Sequence, residues 1–131
     1  MTDSKWQTHD IESRLLTILR EVPEDTNEHH FGRPFLTAYQ IAIEFAQRHP
    51  EVVAALGHPV GGEGIGVRYS LASYLAKQLS DRSRDGRMPV DGCFLSNKHL
   101  HAITFDHNNE LITSSLTDTN YTLSMFRLRE P

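Results

Sequence analysis

The sequence predicts an α+β fold: an N-terminal helical half of three main helices and one short helix, followed by a small antiparallel sheet of three to four strands. Three observations predict it. Up to Ser83 the apolar residues recur at spacings of three and four, the period of a helix with one buried face. Beyond Gly86 the period shortens to two, as in a half-buried strand. Between the second and third main helical patterns, residues 57–70 hold five of the eight glycines, which marks a long connector.

The 131 residues suit one domain, 1–131, able to bury a core without staples. A hydrophobic share of 38% and a charged share of 23% place the chain in the ordinary globular class. No apolar run is long enough to span a bilayer. Residues Met1–Gln7 lack a basic segment followed by an apolar one, so a cytoplasmic location is expected. A single cysteine, Cys93, excludes an intrachain disulfide and a cysteine-based zinc cluster.

Residues 1–9 are polar and expected to be flexible, with Trp6 the one residue suited to packing back on the domain. The first helix is expected over Asp10–Val22, with Ile11, Leu15, Ile18, Leu19 and Val22 on one stripe. Asp10 is placed to cap it and Pro23 to stop it. Residues 23–34 read as an acidic loop. Thr37 and Gln40 form a capping-box signature, and Leu36 with Ile41 the staple that often accompanies one. Ala38, Ile41, Ala42 and Phe45 give that second helix its buried stripe. Pro50 then suits the first position of a short helix through Leu56, closed by Gly57. After the glycine-rich stretch, Ser70 caps a helix to about Ser83, with Leu71, Tyr74, Leu75 and Leu79 inward and Lys77, Asp81 and Arg84 outward. Asp85-Gly86 reads as a turn.

Strands are expected at Val90–Leu95, His101–Phe105 and Glu110–Leu116, the latter two joined by a turn at Asp106–Asn109. A last strand is expected over Tyr121–Arg129, with Leu123 and Met125 on one face and Phe126 and Leu128 on the other.

Charge is uneven. Residues 1–66 carry 5 basic against 10 acidic side chains, whereas residues 67–88 carry Arg68, Lys77, Arg82, Arg84 and Arg87 against Asp81 and Asp85. That stretch is the one local basic excess able to face an anion. The overall −4 argues against strong non-specific nucleic-acid binding.

Helices at 37–48 and 70–83 followed by a hairpin resemble the arrangement of winged-helix proteins, with the later helix as the reading helix and the hairpin as the wing. The 23-residue step from Gln47 to Ser70 departs from the short turn of a helix-turn-helix. What the resemblance implies is a DNA-binding regulator, active as a homodimer, contacting DNA through Arg68, Ser73, Lys77, Arg84 and Arg87. The plainer reading of the same helix is an amphipathic segment with a solvated outer face.

Other chemistry is thinner. Gly62, Gly64 and Gly66 before a helix are suited to an anion-binding nest, but neither a dinucleotide fingerprint nor a Walker loop is present. His99 and His101 would share a face if they lay on a strand, and so could ligate one metal. Cys93, between apolar neighbours, is expected to be buried. No catalytic constellation and no cofactor motif emerges, so the reading leans away from an enzyme without deciding the point. Two alternatives to DNA binding remain: a protein-interaction module using the aromatic loops (Phe31, Phe35, Tyr39, Tyr69, Tyr74), and a small metal-dependent enzyme using His99 and His101.

Overall fold

The structure, a computed structural model, describes residues 4–23, 32–61, 70–113 and 123–129. Among the described residues, five helices, α1 (Ser4–Thr8), α2 (Ile11–Arg20), α3 (Ala38–Arg48), α4 (Pro50–Leu56) and α5 (Leu71–Arg84), accompany five strands. The strands are β1 (Leu36–Thr37), β2 (Val90–Leu95), β3 (Thr104–His107), β4 (Glu110–Thr113) and β5 (Leu123–Leu128). The class is α+β, with a three-stranded antiparallel sheet in the order β1-β5-β2 and a separate hairpin of β3 and β4.

At the start of the chain Trp6 packs back on the domain as read, but the residues around it are helical where a flexible segment was expected. Residues 4–8 form a helix, and Trp6 is buried with the Arg82 guanidinium 4.1 Å above its ring. Five residues cannot sustain a helix by propensity alone, so tertiary packing holds this one. Asp10 does not cap α2 with its side chain; its backbone is left-handed (φ 51°), which turns the chain between α1 and α2. At the other end, Arg33 donates to the carbonyls of Arg20 and Val22, placing a cation at the negative end of α2.

Around α3 and α4 the local signals act as read. The Thr37 Oγ1 accepts from the Gln40 N–H at 3.1 Å, and the Gln40 Oε1 accepts from the Thr37 N–H at 2.8 Å. That completes the capping box. Pro50 opens α4, and Gly57, with φ 76°, closes it in a conformation glycine adopts without strain. Residues 62–69 of the glycine-rich stretch, and with them Gly62, Gly64, Gly66 and Arg68, lie outside the described residues.

The core is one cluster. Ile11, Leu15, Ile18 and Leu19 of α2 meet Ile41, Ala42 and Phe45 of α3 and Leu71, Leu75 and Leu79 of α5. Val90, Leu123 and Phe126 close it from the sheet. Each fully buried leucine or phenylalanine stabilises by about 1.5–3 kcal/mol through removal of apolar surface from water.

The hairpin is shifted from its expected place. Strand β3 starts at Thr104, and Asp106 and His107 belong to it. The turn is Asn108-Asn109 alone, with φ of 52° and 66°. Two left-handed residues make the two-residue turn whose twist matches the strands, and asparagine tolerates that conformation. His99 and His101 therefore precede β3 in a loop instead of sharing a strand face. Cys93 is exposed, contrary to the buried cysteine expected. Its cross-strand partner is Met125, whereas Val90, Gly92 and Phe94 alternate onto the opposite, helix-facing side of β2.

Candidate functional site

Helix α5 is set by both ends of its sequence. At its start the Ser70 Oγ accepts from the Ser73 N–H at 3.0 Å. The Leu71 and Ala72 N–H groups donate to the carbonyls of Pro59 and Val60 at 2.6 and 3.0 Å. The three N–H groups that would face an anion at this terminus are thus already satisfied, which weighs against an anion site where the glycine loop joins α5. Leu71, Ala72, Leu75 and Leu79 turn inward and are buried.

The opposite stripe carries Ser73, Lys77, Asp81 and Arg84, spaced by three and four residues. Lys77 and Arg84 are 77% and 76% exposed, so their charges face solvent. Both contact one carboxylate: Lys77 Nζ lies 3.3 Å and an Arg84 terminal nitrogen 3.2 Å from Asp81. The trio keeps one net positive charge. Exposed pairs of this kind are worth about 0–1 kcal/mol, so a phosphate can displace the carboxylate at little cost. Ser73 is bound less freely, since its hydroxyl accepts from the Ser70 hydroxyl at 2.9 Å. Arg87 leaves the stripe and pairs with Asp85 across the following turn at 2.7 Å. Arg82 is turned to Trp6 and Gln78, a packing role.

The hairpin stands beside the other partner of α5. Phe105 of β3 stacks on Tyr39 at the start of α3, with ring centroids 5.2 Å apart. Tyr39 is buried, so of the aromatic residues considered for a surface patch it belongs to the core. Phe31 and Tyr69 lie outside the described residues. The hairpin itself bears Asp106 and Glu110 and exposes Leu111 at 76%.

Among the described residues no three His, Cys, Asp or Glu side chains converge as a metal site, and His99 and His101 are both exposed. His49 has a defined role instead: its Nδ1 accepts from the Arg14 guanidinium at 2.7 Å. Burial, and then the Arg14 charge, hold its pKa below the ordinary imidazole value. Asp91 receives Arg129 at 2.9 Å and Arg127 at 3.5 Å, and the Arg129 hydrogen bond keeps its carboxyl below the usual range.

Sequence reasoning missed one exposed feature. Phe94 on β2 is 68% exposed beside a cleft of about 230 Å³ between α5 and the sheet. A phenylalanine inside an apolar strand reads as core, and no local signal marks it otherwise. No described helix is long and apolar enough to cross a membrane. Comparison with family models, curated proteins and solved structures gives no match to this chain.

Proposed function

We propose that the chain is a small DNA-binding regulatory domain of winged-helix type, with α5 as the helix that meets DNA. The observation that carries this reading is the exposed stripe of α5, where Lys77 and Arg84 project from a helix anchored on its opposite face by four buried residues. Such cations contact phosphates and orient the protein, while Ser73 and Gln78 are of the type that reads base edges. The element order supports the reading: α3, α4 and α5 precede a hairpin inserted between two strands of the sheet, as a wing would be. Helix α4 fills part of the long Gln47–Ser70 step.

The test is fluorescence anisotropy with a mixed pool of duplex DNA. The wild-type chain binds at low salt, and a Lys77→Ala, Arg84→Ala double variant loses at least about tenfold in affinity. Unchanged affinity in the double variant removes α5 from the contact surface.

A second reading, a protein-interaction module, is favoured by one specific observation, the exposed Phe94 on an edge strand. The two readings share Arg84, which lies on the outward stripe of α5 and also lines the cleft beside Phe94.

A further inference from the structure

We propose that the cleft between α5 and β2 docks an extended, acidic segment of a partner protein, which adds as a strand to the free edge of β2. This goes beyond the DNA reading and does not depend on it.

Strand β2 is an edge. Among the described residues it pairs with β5 alone. Protein edges are usually blunted by lysine, proline, charge or a bulge, since their unpaired N–H and C=O groups invite another chain. Gly92-Cys93-Phe94-Leu95 carries none of the first three, and its register with β5 runs without a bulge. The one acid on the strand, Asp91, is bound by Arg127 and Arg129.

The face beside this edge is shaped for side chains. Gly92 and Phe94 lie opposite Phe126 and Ser124, so all four point to the cleft side of the sheet. The Phe126 ring packs over Gly92, and the cleft opens beside them next to Phe94. In a strand added next to β2, alternate side chains fall on this same face. One can rest against Phe94, and another, two positions away, can reach α5. At about 230 Å³ the cleft admits single side chains and not the surface of a folded protein, which selects an extended segment.

Charge decides the chemistry of the occupant. Among the described residues Arg84 is the one charged side chain lining the cleft, with Ser80 and Ser83 beside it. Arg84 already shares its single carboxylate, Asp81, with Lys77, so this mouth of the cleft attracts a further carboxylate. A guanidinium and a carboxylate make a charge-assisted, directional pair. The preferred segment therefore carries Asp or Glu two positions from an apolar residue.

The experiment uses the full chain and a displayed library of random peptides of about eight residues, followed by anisotropy titration of the enriched peptides. The expected result is enrichment of Asp or Glu two positions from an apolar residue. Phe94→Ala and Arg84→Glu each weaken the selected peptide at least about tenfold, the loss expected when a buried contact or charge pair is removed. Arg84→Glu, selected afresh, shifts the preference toward Lys or Arg. Both positions are exposed, so the variants keep the wild-type circular dichroism. Duplex DNA affinity is unchanged by Phe94→Ala. Enrichment without acids, peptides that bind Phe94→Ala as well as wild type, or no enrichment at all overturns the proposal. So does loss of DNA binding in Phe94→Ala, which would assign the cleft to the DNA surface.

Discussion

The ring of Phe105 lies parallel to that of Tyr39, with planes 6° and centroids 5.2 Å apart. This stack joins the hairpin to α3. Tyr39 is also approached by the chain entering α5: a Cβ on Gly61, whose φ is 137°, would lie 3.1 Å from the Tyr39 ring. One buried aromatic thus contacts both the hairpin and the segment before α5. Replacing Tyr39 by alanine should cost about 3–5 kcal/mol. Phe105→Ala should cost less globally but raise amide exchange across residues 104–113. Exchange confined to wild-type rates in that variant would show that the stack does not hold the hairpin.

Phe126 packs across Gly92, its partner on the neighbouring strand. A Cβ at Gly92 would come within 3.2 Å of the Phe126 ring, and Phe126 is buried, so the ring cannot swing away freely. Gly92→Ala should therefore destabilise by about 1–3 kcal/mol, the range for overpacking a core. Chemical denaturation measures this directly; a stabilised variant would mean that the sheet yields at this point.

The Arg14–His49 contact predicts a pH dependence. His49 accepts a hydrogen bond from Arg14 through Nδ1 and must be neutral to do so. Its folded pKa is depressed, chiefly by burial and then by Arg14. The unfolded chain therefore takes up the proton first as pH falls. The contribution is intact above about pH 6.5 and is lost as pH falls through the folded value. Arg48 also opposes protonation and Glu51 favours it, so Glu51→Gln should deepen the loss. Thermal melts between neutral and mildly acidic pH should show a falling Tm in wild type. His49→Gln should flatten that fall.

Much of this was legible in the sequence because it is local. The Thr37–Gln40 box, the Pro50 start, the Gly57 stop and the Ser70 cap each depend on residues within one turn of each other. The outward stripe of α5 followed from helical period alone. What escaped was set at a distance. Strand β1 is two residues long, too short for any alternation, and exists because Leu36 and Thr37 meet Phe126 and Met125. Helix α1 depends on Arg82 and Trp6, far apart in sequence. Cys93 is exposed on the face of β2 away from the helices and Phe94 on the helix-facing side where a cleft leaves it uncovered, and the strand's own pattern cannot say so. Asp81 was read as an outward residue, but its sharing between Lys77 and Arg84 needed the geometry.

That sharing sharpens the DNA reading. If Lys77 and Arg84 contact phosphate, Asp81 competes with the DNA for them. Asp81→Asn should then tighten duplex binding several-fold. It should change stability by less than about 1 kcal/mol, since exposed helix pairs contribute only tenths each.

The most direct measurement is the salt dependence of duplex DNA affinity for the wild type, Asp81→Asn and the Lys77→Ala, Arg84→Ala double variant. The account predicts an affinity that falls linearly on a log–log plot, a slope reduced by about 1 for each cation removed, and tighter binding by Asp81→Asn. A folded protein with no affinity at low salt, or one whose slope is the same in all three, would contradict it.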